Sequence, residues 1–384
     1  MFTVVNSNTY PHKALTICAN EAHGIQVFTQ TLKKRVLGSD LVNLLTGPHG
    51  VDRYTEQVDP TWTLAEARAK VVDVRRSTPR SVTLVLAPNA AFADTGQTLR
   101  AGQYVNLSVE IDGRRHTRCY SPASAEGSSH LELTIGHHDG GLVSTFLYER
   151  ARRGMVVGLV GVGGDFTLPG GNGEPRPRRI LFVSGGSGIT PVMAMLRTLV
   201  NEGHDGDIAF VHYARNRAEA CYRDELAAMP GVHALHGYTR SAGGDLKGRF
   251  GPEHLSAAMP TPDAVFVCGP TALVDAVREH CENVYSESFV APTLDLPAEP
   301  SGGRIGFADS GIEVVDDGRS VLEQAESAGL TPESGCRMGI CHTCTRRKTS
   351  GVVRNLTTGA VSTAPDEDVQ ICVSVPVGDV DIAL

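Results

Sequence analysis

Four of the nine cysteines in this 384-residue chain lie close together towards its C-terminal end, and their spacing limits the fold of that region more than any other feature. The first three follow the pattern C-x4-C-x2-C, and the fourth comes after 27 intervening residues. The four are Cys336, Cys341, Cys344 and Cys372. This spacing is typical of a [2Fe–2S] centre, in which one loop supplies three thiolates and a distant strand supplies the fourth. Gly335 and Gly339 leave backbone N–H groups that can point at the sulfur atoms.

Two other metal sites use the same residue types. A structural zinc site more usually contains two C-x2-C pairs, and a Rieske centre needs two ligating histidines and two cysteines. Zinc stays open as the alternative, whereas His342 is expected to be an ordinary loop residue because all four cysteines are present. The other five cysteines are scattered and no export signal is seen, so a disulfide framework is not expected. They are Cys18, Cys119, Cys221, Cys268 and Cys281.

The charge balance argues against several partners. The chain carries 35 Lys and Arg against 43 Asp and Glu, a net charge of −8, and no basic run exceeds three residues. Nucleic-acid binding needs clustered positive charge, so no nucleic-acid partner is expected. No apolar run approaches the roughly 18–20 residues that span a bilayer, and no signal pattern is present, so a cytoplasmic protein without a transmembrane segment is expected. Residues 301–384 hold 12 acidic and 7 basic side chains and so carry −5 of the charge.

Changes in composition and periodicity divide the chain into five parts. Residues 1–65 indicate a helical N-terminal extension without chemical motifs. Residues 66–170 contain short alternating strands between turn residues, which is the pattern of an antiparallel β-barrel. In residues 178–290, continuous apolar strands alternate with helices, which predicts a parallel α/β sheet. Residues 291–303 have linker composition, and residues 304–384 predict a small domain with a hairpin, a helix and the cysteine loop.

Two glycine-containing segments predict helix starts that bind anions. A buried strand runs into the glycine turn 185–188, and a helix follows with Pro191 in its first turn. These glycines let the backbone approach a pyrophosphate, and the helix dipole favours the anion. In the β region, residues 140–144 precede a helix predicted over 145–150, and the serine there favours a phosphate. A further helix is predicted near 218–228.

Three more motifs complete a family pattern: Arg118-x-Tyr120-Ser121, Cys268-Gly269-Pro270 and Glu287-x-Phe289. With the glycine turn, they make residues 66–290 resemble ferredoxin-NADP reductase-like flavoproteins, and residues 301–384 resemble plant-type ferredoxins. The combination resembles fused reductase–ferredoxins, most closely the NADPH-dependent electron-transfer partners of stearoyl-CoA desaturases. The resemblance implies a multidomain fold with an antiparallel β-barrel FAD domain, an α/β parallel-sheet NAD(P) domain and an α+β domain of the β-grasp [2Fe–2S] ferredoxin type.

The resemblance also assigns the flavin site. Arg118 would pair with a pyrophosphate, Tyr120 would offer its ring to the isoalloxazine, and the Ser121 hydroxyl would reach flavin N5. Two phosphate-binding features favour FAD over FMN. His137 stands where relatives commonly carry Lys or Arg, and it either replaces that cation or only ends the strand. The predicted flavin-binding residues are Arg118, Tyr120, Ser121, Ile135, His137, Gly141, Val143, Ser144 and Phe289.

For the nicotinamide nucleotide, the resemblance places the Cys268 thiol beside nicotinamide C4, while a buried structural cysteine is the alternative. NADPH is favoured over NADH because Thr239-Arg240 falls where NADP-using relatives carry a Ser-Arg pair, and Arg215 and Arg249 could add charge. The predicted nucleotide-binding residues are Gly186, Gly188, Thr190, Pro191, Arg215, Thr239, Arg240, Cys268, Gly269 and Pro270. The predicted catalytic residues are Tyr120, Ser121 and Cys268.

These sites together predict a function. FAD accepts the two electrons of a hydride together and releases them singly, so the chain is expected to pass electrons from NADPH through FAD and the cluster to an external protein. The acidic ferredoxin domain would steer docking of that acceptor. By resemblance the acceptor is a membrane-bound di-iron fatty-acyl desaturase, and the alternatives are a hydroxylase, a Rieske oxygenase or a cytochrome P450. A non-catalytic, zinc-stabilised interaction module and a diffusible NADPH oxidase or sensor also stay open.

Overall fold

The computed structural model describes residues 52–94, 98–171, 173–289, 303–335, 337–339 and 342–384. The described residues fall into two compact units, a smaller one that contains 52–68 and 89–94 and a larger one that contains 69–88 and the described residues from 98 onwards. Residues 1–51 of the predicted N-terminal extension lie outside the described residues. The predicted linker, 291–303, also lies outside them except for its last residue.

Short polar side chains organise the described part of the smaller unit. It contains helix α1 (Asp52–Thr55) and helix α2 (Ala90–Asp94). The Asp52 carboxylate accepts hydrogen bonds from Thr63 Oγ1 at 2.8 Å and from the Leu64 N–H at 2.9 Å. Such bonds satisfy backbone groups of a segment that lacks a sheet. In the described residues the predicted helical extension therefore contains one four-residue helix.

The first sheet of the larger unit has six strands in the order β4-β3-β6-β1-β2-β5. The strands are β1 (Arg68–Thr78), β2 (Ser81–Pro88), β3 (Tyr104–Ile111), β4 (Arg114–Tyr120), β5 (Leu131–Gly136) and β6 (Val156–Gly163). β1 pairs with β2, β2 with β5, and β3 with both β4 and β6, all antiparallel. Leu84, Leu107 and Leu133 are fully buried in this sheet. It is the predicted β-barrel-like domain, and helix α3 (Leu142–Arg150) follows β5.

The second sheet is parallel, with five strands in the order β11-β10-β7-β8-β9. The strands are β7 (Arg179–Gly185), β8 (Asp207–Ala214), β9 (Val232–Tyr238), β10 (Ala264–Cys268) and β11 (Val284–Glu287). The associated helices are α4 (Ile189–Glu202), α5 (Arg223–Ala228), α6 (Pro252–Ala258) and α7 (Thr271–His280). Phe182 packs in the core on one face of the sheet and Val183 in the core on the other. Burial on both faces explains why these strands are continuously apolar in sequence.

Two helices differ from their predicted limits. The helix predicted near 218–228 is a 3-10 turn at Arg217–Glu219 followed by α5, because Tyr222 between them adopts a left-handed conformation with φ of 57°. The Tyr222 hydroxyl hydrogen-bonds to Thr134 Oγ1 of the first sheet, so a tertiary contact holds a backbone shape that helix propensity does not favour. The helix predicted over 145–150 begins earlier, at Leu142.

In the described parts of the chain, no helix combines the length and the hydropathy that crossing a bilayer requires.

The third sheet is mixed and has the strand order β13-β12-β17-β14-β15, with β16 also paired to β14. Its strands are β12 (Arg304–Phe307), β13 (Ile312–Val315), β14 (Thr345–Asn355), β15 (Val361–Ser362), β16 (Glu367–Gln370) and β17 (Ser374–Ile382). Helix α8 (Val321–Ser327) begins with a capping box in which Ser320 and Glu323 bond to each other's backbone N–H. The predicted multidomain fold class is confirmed. The domain limits 66–170, 178–290 and 304–384 stay predictions, because residues 97–384 lie in one compact unit.

Candidate functional site

A cleft of about 740 Å³ lies between the first sheet and the parallel sheet. One wall comes from the β1–β2 turn and the end of β5, and includes Arg80, Gly136 and His137. The other wall comes from the C-terminal ends of the parallel strands, where ligands commonly bind in open α/β folds. The predicted site residues that line the cleft are His137, Gly186, Gly188, Arg215, Thr239, Arg240, Gly269, Pro270 and Phe289.

The glycine turn after β7 is shaped by close packing of its backbone. A Cβ added at Gly188 would lie 2.3 Å from the carbonyl oxygen of Cys268, and Gly186 has a φ of 57°. Helix α4 begins directly after this turn, and its first turn contains no acidic residue. The partial positive charge of the helix N-terminus therefore faces the cleft without a competing carboxylate from its own first turn. Thr190 and Pro191 are buried in that helix start and do not line the cleft.

Three arginines contribute to the wall beyond the glycine turn. Arg215 follows β8, Arg240 follows β9, and Arg249 also lines the cleft. The Arg240 N–H donates to the Arg215 carbonyl oxygen at 2.8 Å, which places these two residues side by side. Arg215 lies 3.6 Å from the Glu219 carboxylate, so part of its charge is neutralised within the wall. This end of the cleft can hold a phosphate group through Arg240 and Arg249.

A polar row crosses the parallel sheet next to the cleft. The strand register places Glu287 beside Cys268, Cys268 beside Ser184, and Ser184 beside His212, which pairs with His236. Ser184 Oγ and His212 Nδ1 are 2.8 Å apart. Burial lowers the pKa of His212 to about 3 and raises the pKa of Glu287 to about 8, so both side chains favour their neutral forms at pH 7.

Cys268 is fully buried, and it does not line the cleft. Burial, with the Glu287 carboxyl nearby, raises the pKa of its thiol well above the ordinary value. The thiol therefore favours its neutral form at pH 7. Its neighbours Gly269 and Pro270 do reach the cleft. The predicted position of the Cys268 thiol beside nicotinamide C4 stays a prediction.

The flavin motif lies at the end of β4. Ser121 Oγ is buried and has no hydrogen-bond partner among the described residues, and the same holds for Glu287 Oε2 and Ser288 Oγ. Burial raises the pKa of the Tyr120 phenol, which therefore stays protonated. Buried polar atoms normally have partners, so these orphaned atoms fit the polar edge of a flavin. The residues present thus fit the predicted FAD, but Arg118, Tyr120 and Ser121 do not line the cleft, and their assignment to the flavin stays a prediction.

Arg118 makes a contact that the sequence did not predict. Its Nη1 donates hydrogen bonds to the carbonyl oxygens of Thr117 at 2.7 Å and of Gly335 at 3.1 Å. Gly335 directly precedes Cys336 in the cluster pattern. The first residue of the flavin motif therefore contacts the loop that carries the predicted cluster ligands.

Other predicted flavin residues have local structural partners. Ile135 and Val143 are buried core side chains. Ser144 Oγ donates to the Gly141 carbonyl oxygen at 3.3 Å, and these two residues lie outside the cleft lining. Their role in flavin binding stays a prediction.

His137 lines the cleft beside Arg80, a cationic residue that no sequence motif marks. Arg80 Nη2 donates to the His137 carbonyl oxygen at 3.3 Å and to Asp139 Oδ1 at 3.2 Å. His137 Nδ1 lies 3.8 Å from the same Asp139 oxygen. Arg80 is a turn residue between the first two predicted strands, and no motif marks it. The contact between the turn and the end of β5 becomes visible only when the strands are paired.

Two of the four predicted cluster ligands lie among the described residues. Cys344 and Cys372 are both buried in the core of the third sheet, and the Ile371 N–H donates to the Cys344 carbonyl oxygen at 3.4 Å. The chain therefore brings these distant cysteines to one place. Cys336 and Cys341 lie outside the described residues.

The loop around these cysteines is held by Gln370, the last residue of strand β16. Gln370 Nε2 donates to the Gly339 carbonyl oxygen at 2.6 Å and lies 3.2 Å from His342 Nδ1. Gly339 has a φ of 77°, and a Cβ there would lie 3.0 Å from Val373 Cγ2. The position of His342 agrees with its predicted role as a loop residue. Buried thiolates on a glycine-containing loop are the donor set that a [2Fe–2S] cluster uses.

Comparison with known families agrees with this arrangement. The chain matches an oxidoreductase FAD-binding domain over residues 91–168, an oxidoreductase NAD-binding domain over residues 182–279 and a 2Fe-2S iron-sulfur cluster binding domain over residues 307–377. The predicted cofactors FAD, NAD(P)H and a [2Fe–2S] cluster are confirmed. The match to the cluster domain also favours the cluster over the zinc alternative.

Individual proteins are similar over most of the chain. An NADPH oxidoreductase of Mycobacterium tuberculosis is 34% identical over 352 residues, which cover 87% of this chain and 89% of that protein. The glycine betaine monooxygenase reductase subunit of Pseudomonas aeruginosa is 31% identical over 327 residues, which cover 74% of this chain and 86% of that protein. A solved phthalate dioxygenase reductase has a TM-score of 0.56 and 21% identity, covers 83% of this chain and 97% of its own, and so shares the fold.

Proposed function

Because this chain belongs to the family of oxidoreductases that join FAD-binding, NAD-binding and 2Fe-2S domains, we propose that it takes electrons from NADPH and delivers them singly to an oxygenase-type protein. The coarser activity, an NAD(P)H-dependent flavin and iron–sulfur reductase, is a property of the family. The observation that carries the proposal is the hydrogen bond between Arg118 of the flavin motif and Gly335 of the cluster loop. It supports a direct path from the flavin to the cluster.

The residues around the cleft have separate tasks in this proposal. Arg118, Tyr120 and Ser121 would hold FAD, which would supply a hydride acceptor that can release electrons singly. The glycine turn at 186–188 holds the dinucleotide pyrophosphate at the start of α4. Phe289 lines the cleft as an apolar wall that excludes water. Glu287, protonated at pH 7 because burial raises its pKa to about 8, can hold a proton beside the flavin.

The proposed preference for NADPH rests on the arginine end of the cleft. Arg240 and Arg249 line the cleft, whereas Arg215 is partly neutralised by Glu219 at 3.6 Å. A guanidinium can bind a 2′-phosphate through two parallel hydrogen bonds, and this phosphate is absent from NADH. The similar protein of M. tuberculosis is named an NADPH oxidoreductase, which supports the same preference.

The electron acceptor is proposed from the charge of the third domain. Residues 301–384 carry a net charge of −5, and exposed acidic side chains such as Glu333 lie close to the cluster loop. A basic patch on the acceptor would be steered towards this surface. The sequence resemblance favours a membrane di-iron stearoyl-CoA desaturase as the acceptor. The similarity to a glycine betaine monooxygenase reductase subunit favours a monooxygenase as the second candidate.

Reconstitution with each acceptor class tests the proposal. The purified holoprotein is mixed with NADPH or NADH and with either a fatty-acyl desaturase in vesicles or the oxygenase component of a glycine betaine monooxygenase. The proposal predicts product formation with the desaturase, faster with NADPH than with NADH, and slower at high salt because screening weakens the steering. Product formation with the monooxygenase alone would support the second candidate as the acceptor instead of the desaturase. Equal rates with NADH and NADPH would contradict the proposed cofactor preference.

A further inference from the structure

Arg80 stands on the wall of the cleft that faces the glycine turn. It lies in the turn between β1 and β2, and its carbonyl oxygen accepts a hydrogen bond of 2.7 Å from the His137 N–H. The strand register pairs the next residue, Ser81, with Gly136. Arg80, Gly136 and His137 therefore form one continuous piece of the barrel wall, and all three line the cleft.

This piece of wall approaches the glycine turn closely. A Cβ added at Gly136 would lie 3.9 Å from Ser187 Cβ, which is ordinary van der Waals contact across the cleft. Ser187 belongs to the 3-10 turn Gly186–Gly188 that leads into α4. A pyrophosphate bound at this helix start has the helix dipole on one side, and on its other side it faces the barrel wall that carries Arg80.

We propose that Arg80 binds the dinucleotide pyrophosphate from the barrel side of the cleft, so that the nucleotide joins the barrel to the parallel sheet. This inference rests on nucleotide binding in the cleft, which is part of the proposed function. It is independent of the arginines that are proposed to select the 2′-phosphate, because Arg240 and Arg249 come after β9 rather than after the strand that precedes the glycine turn.

The contacts that Arg80 makes in this structure leave its guanidinium able to bind a pyrophosphate. Among the described residues its side-chain hydrogen bonds run from Nη2, to the His137 carbonyl oxygen and to Asp139. Asp139 is 81% exposed, and ion pairs with exposed partners contribute little free energy. A guanidinium has five N–H donors in a planar fork. Arg80 can thus keep its bond to the backbone and still present N–H groups to a phosphate.

Ligands that carry only part of the dinucleotide separate this role from the others. ADP-ribose contains the pyrophosphate without a 2′-phosphate, and 2′-AMP contains a 2′-phosphate without a pyrophosphate. Dissociation constants of ADP-ribose, 2′-AMP and NADP⁺ are measured by calorimetry on the oxidised, flavin-loaded holoprotein. The variants are Arg80→Gln, Arg80→Lys and Arg240→Ala. The matched control is Arg76→Gln, which removes one positive charge from β1, the strand that leads into the turn of Arg80, at an exposed arginine whose guanidinium lies over the Tyr148 ring.

We expect Arg80→Gln to raise the dissociation constants of ADP-ribose and NADP⁺ about tenfold and to leave that of 2′-AMP unchanged, because one charge-assisted contact is lost. Arg80→Lys keeps the positive charge, so we expect it to lose less affinity for ADP-ribose and NADP⁺ than Arg80→Gln does. Arg240→Ala is expected to raise the dissociation constants of 2′-AMP and NADP⁺ and to leave that of ADP-ribose unchanged. Arg76→Gln is expected to bind all three ligands like the wild type.

Two results would overturn the proposal. One is an unchanged dissociation constant of ADP-ribose in a folded, flavin-loaded Arg80→Gln variant. The other is a loss of bound flavin from Arg80→Gln with unchanged nucleotide affinity of the molecules that retain it, which would assign Arg80 to the flavin instead. A wild-type protein that binds none of the three ligands would contradict the proposed function itself, so the two failures are distinguishable.

Discussion

Arg118 Nη1 lies 3.1 Å from the carbonyl oxygen of Gly335, although 217 positions separate the two residues in the chain. Arg118 belongs to the flavin motif, and Gly335 precedes the first cysteine of the cluster pattern. One side chain thus connects the two regions between which electrons are proposed to pass. The contact uses a backbone acceptor, so it depends on the shape of the loop rather than on a particular side chain at position 335.

The first prediction concerns this contact. Arg118→Lys keeps a positive charge near the flavin but replaces the planar guanidinium, whose Nη1 reaches the Gly335 carbonyl oxygen, with a compact ammonium group. We expect NADPH to bleach the flavin of this variant at close to the wild-type rate, while reduction of the cluster slows about tenfold. Stopped-flow absorbance of the holoprotein separates the two phases.

Arg115→Lys is the matched control for this prediction, because Arg115 is an exposed residue of the same strand. It should behave like the wild type in both phases. If Arg118→Lys slows the flavin phase and leaves the cluster phase unchanged, Arg118 serves the flavin alone and the proposed link to the cluster loop is wrong.

The second prediction concerns the cluster ligands. Cys344→Ser removes a buried thiolate of the cysteine loop, and oxygen is a poorer ligand than sulfur for an iron–sulfur cluster. We expect this variant to lose iron and to stop reducing the protein acceptor, while ferricyanide, which can take electrons from the flavin, is still reduced by NADPH. Cys281→Ser, at a partly buried cysteine outside the pattern, should retain both activities. Equal protein-acceptor reduction by Cys344→Ser and the wild type would remove the cluster from the electron path.

The third prediction concerns pH and Glu287. Burial raises the pKa of this carboxyl from 4.5 to about 8 in the folded protein. Between these two pH values the folded protein keeps a proton that the unfolded chain has released, so this group makes the protein less stable as the pH rises. Glu287→Gln carries no such proton. We therefore expect the free energy of unfolding of the variant, relative to the wild type, to increase with pH over this range by up to about 1.4 kcal/mol per pH unit.

Thermal or denaturant unfolding of wild type and Glu287→Gln at pH 5, 6, 7 and 8 measures this difference. Glu282→Gln is a suitable control, because Glu282 is exposed and lies in the connection just before β11, the strand that ends with Glu287. Parallel stability curves for wild type and Glu287→Gln would show that the buried carboxyl does not hold its proton.

The fourth prediction concerns the choice between NADPH and NADH. Arg240→Ala removes a cleft arginine that is proposed to bind the 2′-phosphate. We expect the KM for NADPH to rise about tenfold, as for the loss of one charge-assisted contact, while the KM for NADH stays nearly constant. Arg217→Ala, at an exposed arginine outside the cleft lining, controls for the change of surface charge. A similar rise for both nucleotides would contradict the proposed role of Arg240.

Much of the site could be predicted from sequence, because the backbone conformation or the metal ligation at certain positions permits only particular residue types. The glycine turn before α4 needs residues without a Cβ, since a side chain at position 188 would collide with the Cys268 carbonyl oxygen. The spacing of the four cysteines is also restricted, because all four thiolates must reach one cluster. Continuous apolar runs such as Ile180–Val183 predicted the parallel sheet because both of its faces are buried.

Residues whose role comes from pairing of distant segments could not be predicted. Arg80 has the sequence context of an ordinary turn, and only the pairing of β2 with β5 brings it to His137 and the cleft. Tyr222 interrupts the predicted helix near 218–228 because its hydroxyl bonds to Thr134 of another sheet. The contact of Arg118 with Gly335 likewise depends on how the domains pack, for which a single sequence carries no local signal.

The central claim is that electrons from NADPH reach the cluster through the flavin. The most direct test mixes the anaerobic holoprotein with one equivalent of NADPH and freezes samples at successive times for electron paramagnetic resonance and visible spectroscopy. We expect the flavin to bleach first and the signal of a reduced [2Fe–2S] cluster to appear afterwards, more slowly in Arg118→Lys than in the wild type. A flavin that bleaches while the cluster stays oxidised at all times would show that electrons do not take this path.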